Sequence, residues 1–137
     1  MTGSVPPSPP GTDEPRRILV VDDNEDASET LALLLRQTGH DVRVAPDGAT
    51  AQVAAAEFKP NVVLLDIGLP GMDGFEVARR LRALGSERSM LLVAISGYGL
   101  DEDRRRAREA GFDHYFTKPV SFATLREFLS KLPQQRN

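Results

Sequence analysis

The sequence predicts an α/β domain built on a doubly wound parallel sheet, and three observations carry that prediction. Five short apolar runs alternate with five segments of helical spacing, glycine, proline or polar residues punctuate nearly every junction, and 137 residues are enough for one core. Parallel neighbours need crossover connections, which are right-handed and usually helical, so this alternation covers a parallel sheet on both faces.

The first fifteen residues, "MTGSVPPSPPGTDEP", and Arg16 after them hold almost no large apolar side chains. Such a stretch cannot offset the entropy of ordering, so residues 1–16 are expected to be a flexible proline-containing tail. "RILVV" (17–21) is β-branched and ends in two acids, and it reads as a buried strand. Ala27, Leu31, Leu34 and Leu35 then fall on one helical stripe, with Gly39 placed for a left-handed C-cap. "DVRVA" (41–45) is the second strand. Ala51, Ala54, Ala55 and Phe58 mark the second helix, which Pro60 ends.

"NVVLLD" (61–66) is the third strand, and Pro70 and Gly71 turn the chain toward a helix striped by Val77, Ala78, Leu81 and Leu84. Asp73 is expected to cap that helix. "LLVAIS" (91–96) is the fourth strand. "DEDRRRAREAG" (101–111) opens with acids, continues with arginines and stops at glycine, which suits the helix dipole at both ends. Its apolar stripe, Ala107 and Ala110, is thin, so a weakly held helix is expected. "HYF" (114–116) is the last strand. A final helix from Ser121 aligns Phe122, Leu125, Phe128, Leu129 and Leu132 before Pro133.

Composition narrows the function. A 40% hydrophobic, 27% charged chain with no long apolar run does not span a bilayer as a helix, and a net charge of -3 supplies no global attraction to nucleic acid. The chain has no cysteine, which removes disulfides, thiolate metal sites and a cysteine nucleophile. The N-terminus lacks the basic start and apolar stretch of a secretory signal, so a cytoplasmic location is expected.

Ligands of open parallel sheets bind beyond the carboxyl ends of the strands. Here those ends carry Asp22 and Asp23, Asp66, Ser96 and, just past the fifth strand, Lys118. Two unit charges 4 Å apart repel by about 4 kcal/mol at an effective dielectric near 20, so three ionised aspartates call for a compensating cation. Lys118 offsets one charge. A hard divalent ion such as Mg²⁺, which takes oxygen ligands and keeps positions open for water or phosphate, suits the remainder. Any one of these residues alone reads as a cap, a turn hydroxyl or a solvated side chain. Together, at one end of the sheet, they read as a site for a metal and a phosphoryl group.

"ILVVDDN", "LLDIGLPGMDG", "AISG" and "FTKP" occur in the order and spacing of the receiver domains of two-component response regulators, which the chain resembles from Arg17 to about Leu132. The resemblance implies a flavodoxin-like fold with strand order 2-1-3-4-5, two helices on one face and three on the other. It implies that Asp66 accepts a phosphoryl group from a partner phosphohistidine. It further implies that Asp23, Asp66 and the Gly68 carbonyl bind Mg²⁺ directly, with Asp22 acting through water. Ser96 would be the switch hydroxyl, Lys118 the phosphoryl-pairing cation, Tyr115 the aromatic switch, and the Lys118–Pro119 bond cis. The implied output is a surface formed by the fourth helix, fifth strand and last helix.

The implied partners are a histidine kinase or histidine phosphotransfer protein and a downstream protein, with no direct nucleic-acid contact, no membrane, and a monomer or weak dimer. The domain would signal rather than turn over a substrate, catalysing only its own phosphorylation and dephosphorylation. "DIGLPGMDG" with "ISGYG" is similar to receivers attached to hybrid kinases, which admits a phosphorelay role for a stand-alone or excised receiver. The minimal Gly68 and bulky Tyr98 lead to an expectation of slow autodephosphorylation, and Gly97 leaves room for a donor imidazole. "PQQRN" (133–137) is too short for an output domain. Two other classes fit less well. A haloacid-dehalogenase-like phosphatase wants a second acid where Gly68 stands, and a flavodoxin-like mononucleotide binder wants a phosphate loop where "DDNED" stands.

Overall fold

The computed structural model describes residues 15–68, 73–84, 90–97 and 101–132. In chain order these form β1 (Arg17–Val21), α1 (Glu25–Gln37), β2 (Asp41–Ala45), α2 (Gly48–Phe58), β3 (Val62–Asp66), α3 (Gly74–Leu84), β4 (Leu91–Ser96), α4 (Asp101–Ala110), β5 (His114–Thr117) and α5 (Phe122–Ser130). The strands make one parallel sheet in the order β2-β1-β3-β4-β5, as the resemblance implied.

Position in the sheet explains strand composition. β3 lies between β1 and β4 with helices over both faces, and all five of its residues are buried. A strand enclosed on every side has to be apolar throughout, which is why "VVLL" shows no alternation. β2 is an edge strand, and its exposed Asp41 and Arg43 alternate with the buried Val42 and more sheltered Val44.

One side of the sheet, with Leu19, Val21, Val63, Leu65, Leu92 and Ala94, packs against α2, α3 and α4 through Ala51, Ala55, Phe75, Ala78, Leu81, Ala107 and Ala110. The other, with Ile18, Val20, Val62, Leu64 and Val93, packs against α1 and α5 through Ala32, Leu35, Leu125 and Leu129. Full burial of each leucine contributes about 1.5–3 kcal/mol, so these two layers hold the sheet rigid beneath its polar rim.

The helix ends are chemically marked. The side chains of Asn24, Asp47 and Ser121 accept from the N–H of Ala27, Thr50 and Thr124 at 3.0, 2.7 and 3.0 Å, each satisfying a first-turn donor that lacks an intrahelical partner. Asp73 caps α3, its Oδ1 accepting from Phe75 N at 3.0 Å. Gly39 and Gly111 close α1 and α4 with φ of 100° and 108°, a region costly for a side chain with Cβ. Lys59 ends α2 in the left-handed region at φ 55°, its N–H donating to the Ala55 carbonyl, and Pro60 follows without the N–H a further helical turn would need.

Some boundaries differ from the sequence reading. Arg16, assigned there to the tail, is buried; its N–H donates to His40 Nδ1 at 3.2 Å, and its guanidinium donates to the Leu132 carbonyl at 3.0 Å. Composition missed this because the anchoring is polar. Asn61 stands just before β3, where its side chain accepts from Arg17 N at 2.8 Å. β5 runs one residue further, to Thr117. The readings made for residues 1–14, Pro70, Gly71, Tyr98 and 133–137 lie outside the described residues.

Candidate functional site

Strand register brings the predicted residues to one rim. Asp66, the last residue of β3, pairs across the sheet with Ile95, the residue before Ser96, and Ser96 pairs with Thr117, the residue before Lys118. Backbone bonds reinforce this alignment: Ile67 N donates to Ile95 O at 3.0 Å, and Lys118 N donates to Ser96 O at 2.7 Å. Asp22 and Asp23 leave the end of β1, next to β3, and Asp22 N donates to Ala45 O at 3.1 Å.

Asp66 is 5% exposed, and a carboxylate held that deep needs partners for its oxygens. The Gly68 N–H donates to its Oδ1 at 2.9 Å, and the Lys118 ammonium donates to its Oδ2. That ion pair, with desolvation opposing it, holds the Lys118 ammonium above its ordinary pKa, so the lysine is charged at neutral pH. Burial pushes the Asp22 carboxyl above its ordinary value; the Asn24 N–H opposes the shift, and the charge of Asp66 adds to it. Asp23 is exposed and Ser96 is 2% exposed. The Lys118–Pro119 peptide is cis.

Asp22 feels the charges of Asp66 and Asp23 at this rim, yet no three carboxylate or imidazole groups among the described residues converge into a ready-made metal cage. Mg²⁺ does not require one, since it uses one or two carboxylates and completes its shell with carbonyls and water. The donor set is all oxygen, and its negative charge exceeds what Lys118 alone offsets, so the residues fit such an ion. Gly68 is exposed beside Asp66, and a Cβ added there would meet Asp66 Oδ1 at 3.6 Å. A Cβ at Gly97 would meet nothing within 4 Å among the described residues.

The chain matches the response regulator receiver domain family over residues 18–130. It belongs to that family. Receiver domains are signalling domains of two-component systems, and accepting a phosphoryl group is general to them. The receiver is 38% identical to the transcriptional regulatory protein PrrA of Mycobacterium tuberculosis over 109 residues, covering 80% of this chain and 46% of that protein, so it spans less than half of that relative. A CheY-like receiver domain protein from Methanospirillum hungatei matches with a TM-score of 0.77 at 29% identity, over 84% of this chain and 90% of that one. The receiver domain of the sensor histidine kinase PA1611 of Pseudomonas aeruginosa, solved with magnesium in its active-site cleft, matches with a TM-score of 0.73 at 30% identity, over 85% and 95% of the two chains. Among the described residues no helix is long and apolar enough to cross a membrane.

Two features of the receiver went unread in its sequence. Tyr115 is half-buried with the Arg104 guanidinium 4.8 Å from its ring centroid, while Arg104 also donates to Thr117 Oγ1 at 3.5 Å. Arg82 of α3 donates to the Gly111 carbonyl at 2.9 Å, to the Met90 carbonyl and to Asp113, tying α3 to the chain before β4 and the turn before β5. Both join residues distant in sequence, and neither falls on an apolar period.

Proposed function

We propose that residues 17–132 act as a phosphoacceptor unit in which Asp66 takes a phosphoryl group from the phosphohistidine of a histidine kinase or histidine phosphotransfer protein. The observation that carries the reading is the enclosure of Asp66 at the end of β3, with one carboxylate oxygen on the Gly68 N–H and the other on the Lys118 ammonium. Both donors orient the carboxylate. In the transfer a carboxylate oxygen forms the new P–O bond as the P–N bond to the donor imidazole breaks. In-line phosphoryl transfer depends on positioning and charge neutralisation, and Lys118 stands ready to pair with a phosphoryl oxygen.

Asp23, Asp66 and the Gly68 carbonyl would hold Mg²⁺ directly, with Asp22 acting through water. When bound, the ion would neutralise charge on the transferring oxygens. Ser96, on the strand next to Asp66, would bind the phosphoryl group through its hydroxyl. The acyl phosphate adds about two negative charges and three acceptors at the rim, enough to draw Ser96 and its loop inward and let Tyr115 follow. The surface made by α4, β5 and α5 would change with it and be read by a separate protein, without direct nucleic-acid contact in this step.

Incubation with Mg²⁺ and a small acyl-phosphate donor, followed by intact mass, tests the reading. A single phosphoryl adduct is expected in the wild type and none in Asp66→Ala. An adduct that persists without Asp66, or none in the wild type, overturns it.

A further inference from the structure

His40 is a buried ionisable side chain that the proposed phosphoryl chemistry does not use. It lies in the turn from α1 to β2, at the edge of the sheet opposite the Asp66 rim. Its N–H donates to Leu35 O at 3.2 Å, and its Nδ1 accepts from the Arg16 N–H at 3.2 Å. A ring nitrogen that accepts carries no proton, so this arrangement requires the neutral imidazole with its proton on Nε2. Arg16 in turn is a junction. Its carbonyl accepts from Asp41 N at 3.0 Å, and its guanidinium donates to Leu132 O at 3.0 Å. One residue thereby joins the chain before β1, the α1–β2 turn and the end of α5.

The charges on the elements that meet here are arranged around that junction. Arg16 faces the ring and is itself buried. Arg36, in the last turn of α1, donates to Val42 O at 2.8 Å. Asp41 opens β2 and is exposed, and Arg17 turns toward the end of α2, where it donates to Lys59 O at 2.9 Å. On α5, Lys131 pairs with Glu127 at 3.6 Å, both exposed. The C-terminal end of α1 gives a charged ring modest favour. Protonation, however, would turn Nδ1 into a donor facing the Arg16 N–H and bury a second cation next to Arg16, which is the costlier effect.

We propose that His40 is an acid-released clip: when its ring takes up a proton it lets go of the Arg16 N–H, and the hold of Arg16 on the end of α5 loosens with it. Folding then excludes a proton that the unfolded chain takes up below about pH 6.5, so the clip is closed above that pH and weakens as pH falls beneath it. The link to signalling rests on the reading of α4, β5 and α5 as the surface that partners read. The clip itself is measured on unphosphorylated protein, so failed phosphorylation and a failed clip are distinguishable.

Hydrogen exchange of the full chain is followed by NMR from about pH 7.5 to about pH 5.5, spanning the ordinary imidazole value. Protection of the Arg16 amide is expected to fall by up to about tenfold per pH unit on the acid side, the slope of one proton. The Leu132 carbonyl carbon signal is expected to shift with the same midpoint. The adjacent Arg17 amide donates at 2.8 Å to Asn61 Oδ1, which does not titrate, so its protection should stay constant. In His40→Asn an oxygen on Cγ replaces Nδ1 as acceptor and the titrating proton is gone, so the Arg16 and Leu132 profiles should be flat. His114→Asn, at an exposed position on β5, should keep the wild-type profiles. A flat Arg16 profile in the wild type, or a pH dependence that survives in His40→Asn, would overturn the proposal. So would an equal loss of protection at Arg17, which would mean general acid fraying of β1; that comparison needs only the wild type and decides even if His40→Asn does not fold.

Discussion

Gly74→Ala probes how closely the start of α3 is pressed against the residue that follows Asp66. A Cβ at position 74 would lie 2.7 Å from Ile67 Cα, 2.8 Å from its Cβ and 2.9 Å from its Cγ2. A backbone atom cannot swing aside as a side-chain tip can, so either the first turn of α3 or the Ile67 backbone must move. Overpacking of this kind costs about 1–3 kcal/mol, against about 0.4–1 kcal/mol gained from the lower unfolded-state entropy of alanine. A net loss of about 1–2 kcal/mol follows, seen as a fall in Tm of roughly 3–8 °C. Ile67 also donates to Ile95 O at 3.0 Å and sits between Asp66 and Gly68, so its displacement should misalign the carboxylate. Phosphorylation by an acyl-phosphate donor is expected to slow by about tenfold or more, within the range that small misplacements produce. Urea unfolding followed by circular dichroism measures the first effect, and the rate of adduct formation measures the second. Gly97→Ala is the control: its Cβ would enter open space, and stability should stay within about 0.5 kcal/mol of wild type. Equal stability of Gly74→Ala and wild type, or an equal loss in Gly97→Ala, would refute the close-approach reasoning.

Arg82→Gln removes the donors that bind the Met90 and Gly111 carbonyls and Asp113, and a loss of about 1–2 kcal/mol is expected; urea unfolding with the wild-type m-value would check it. Asp47 caps α2, and the N–H of Thr50, with further help from the Thr50 hydroxyl, holds its carboxyl below the ordinary aspartate value. A depressed folded-state pKa contributes stability that is complete above the unfolded value and is lost as pH falls through the folded one. Acid titration of stability should therefore fall less steeply in Asp47→Asn than in wild type below about pH 4, and parallel curves would contradict the cap's role.

Sequence reached the fold because its strongest signals are local. A strand enclosed on all sides must be apolar, and helices at the surface must carry a stripe, so β3 and α1 could be placed without tertiary knowledge. The rim residues were legible as a set for the same reason, since each follows an apolar run. What local pattern could not reveal was their inequality. Asp66 is buried because it is the last residue of β3, still inside the sheet, whereas Asp23 lies two residues past the end of β1 and is exposed. Nor could it show that Lys118 reaches Asp66, a pairing across 52 residues, or that Gly74 is needed for close approach to Ile67. Arg16 was misassigned because it is held by hydrogen bonds to His40 and Leu132, which leave no trace in hydropathy.

The edge strand β2 has a consequence for assembly. A parallel sheet ends in a row of backbone groups that could accept another strand, and growth in that direction leads to aggregates. Asp41 and Arg43 stand on β2, with Arg43 turned toward Glu57 and over the Phe58 ring, so an incoming strand would have to settle beside fixed charge. The sheet is thereby discouraged from widening at β2. Along this edge, a signalling protein that has to meet its partners reversibly is kept from growing into a fibre.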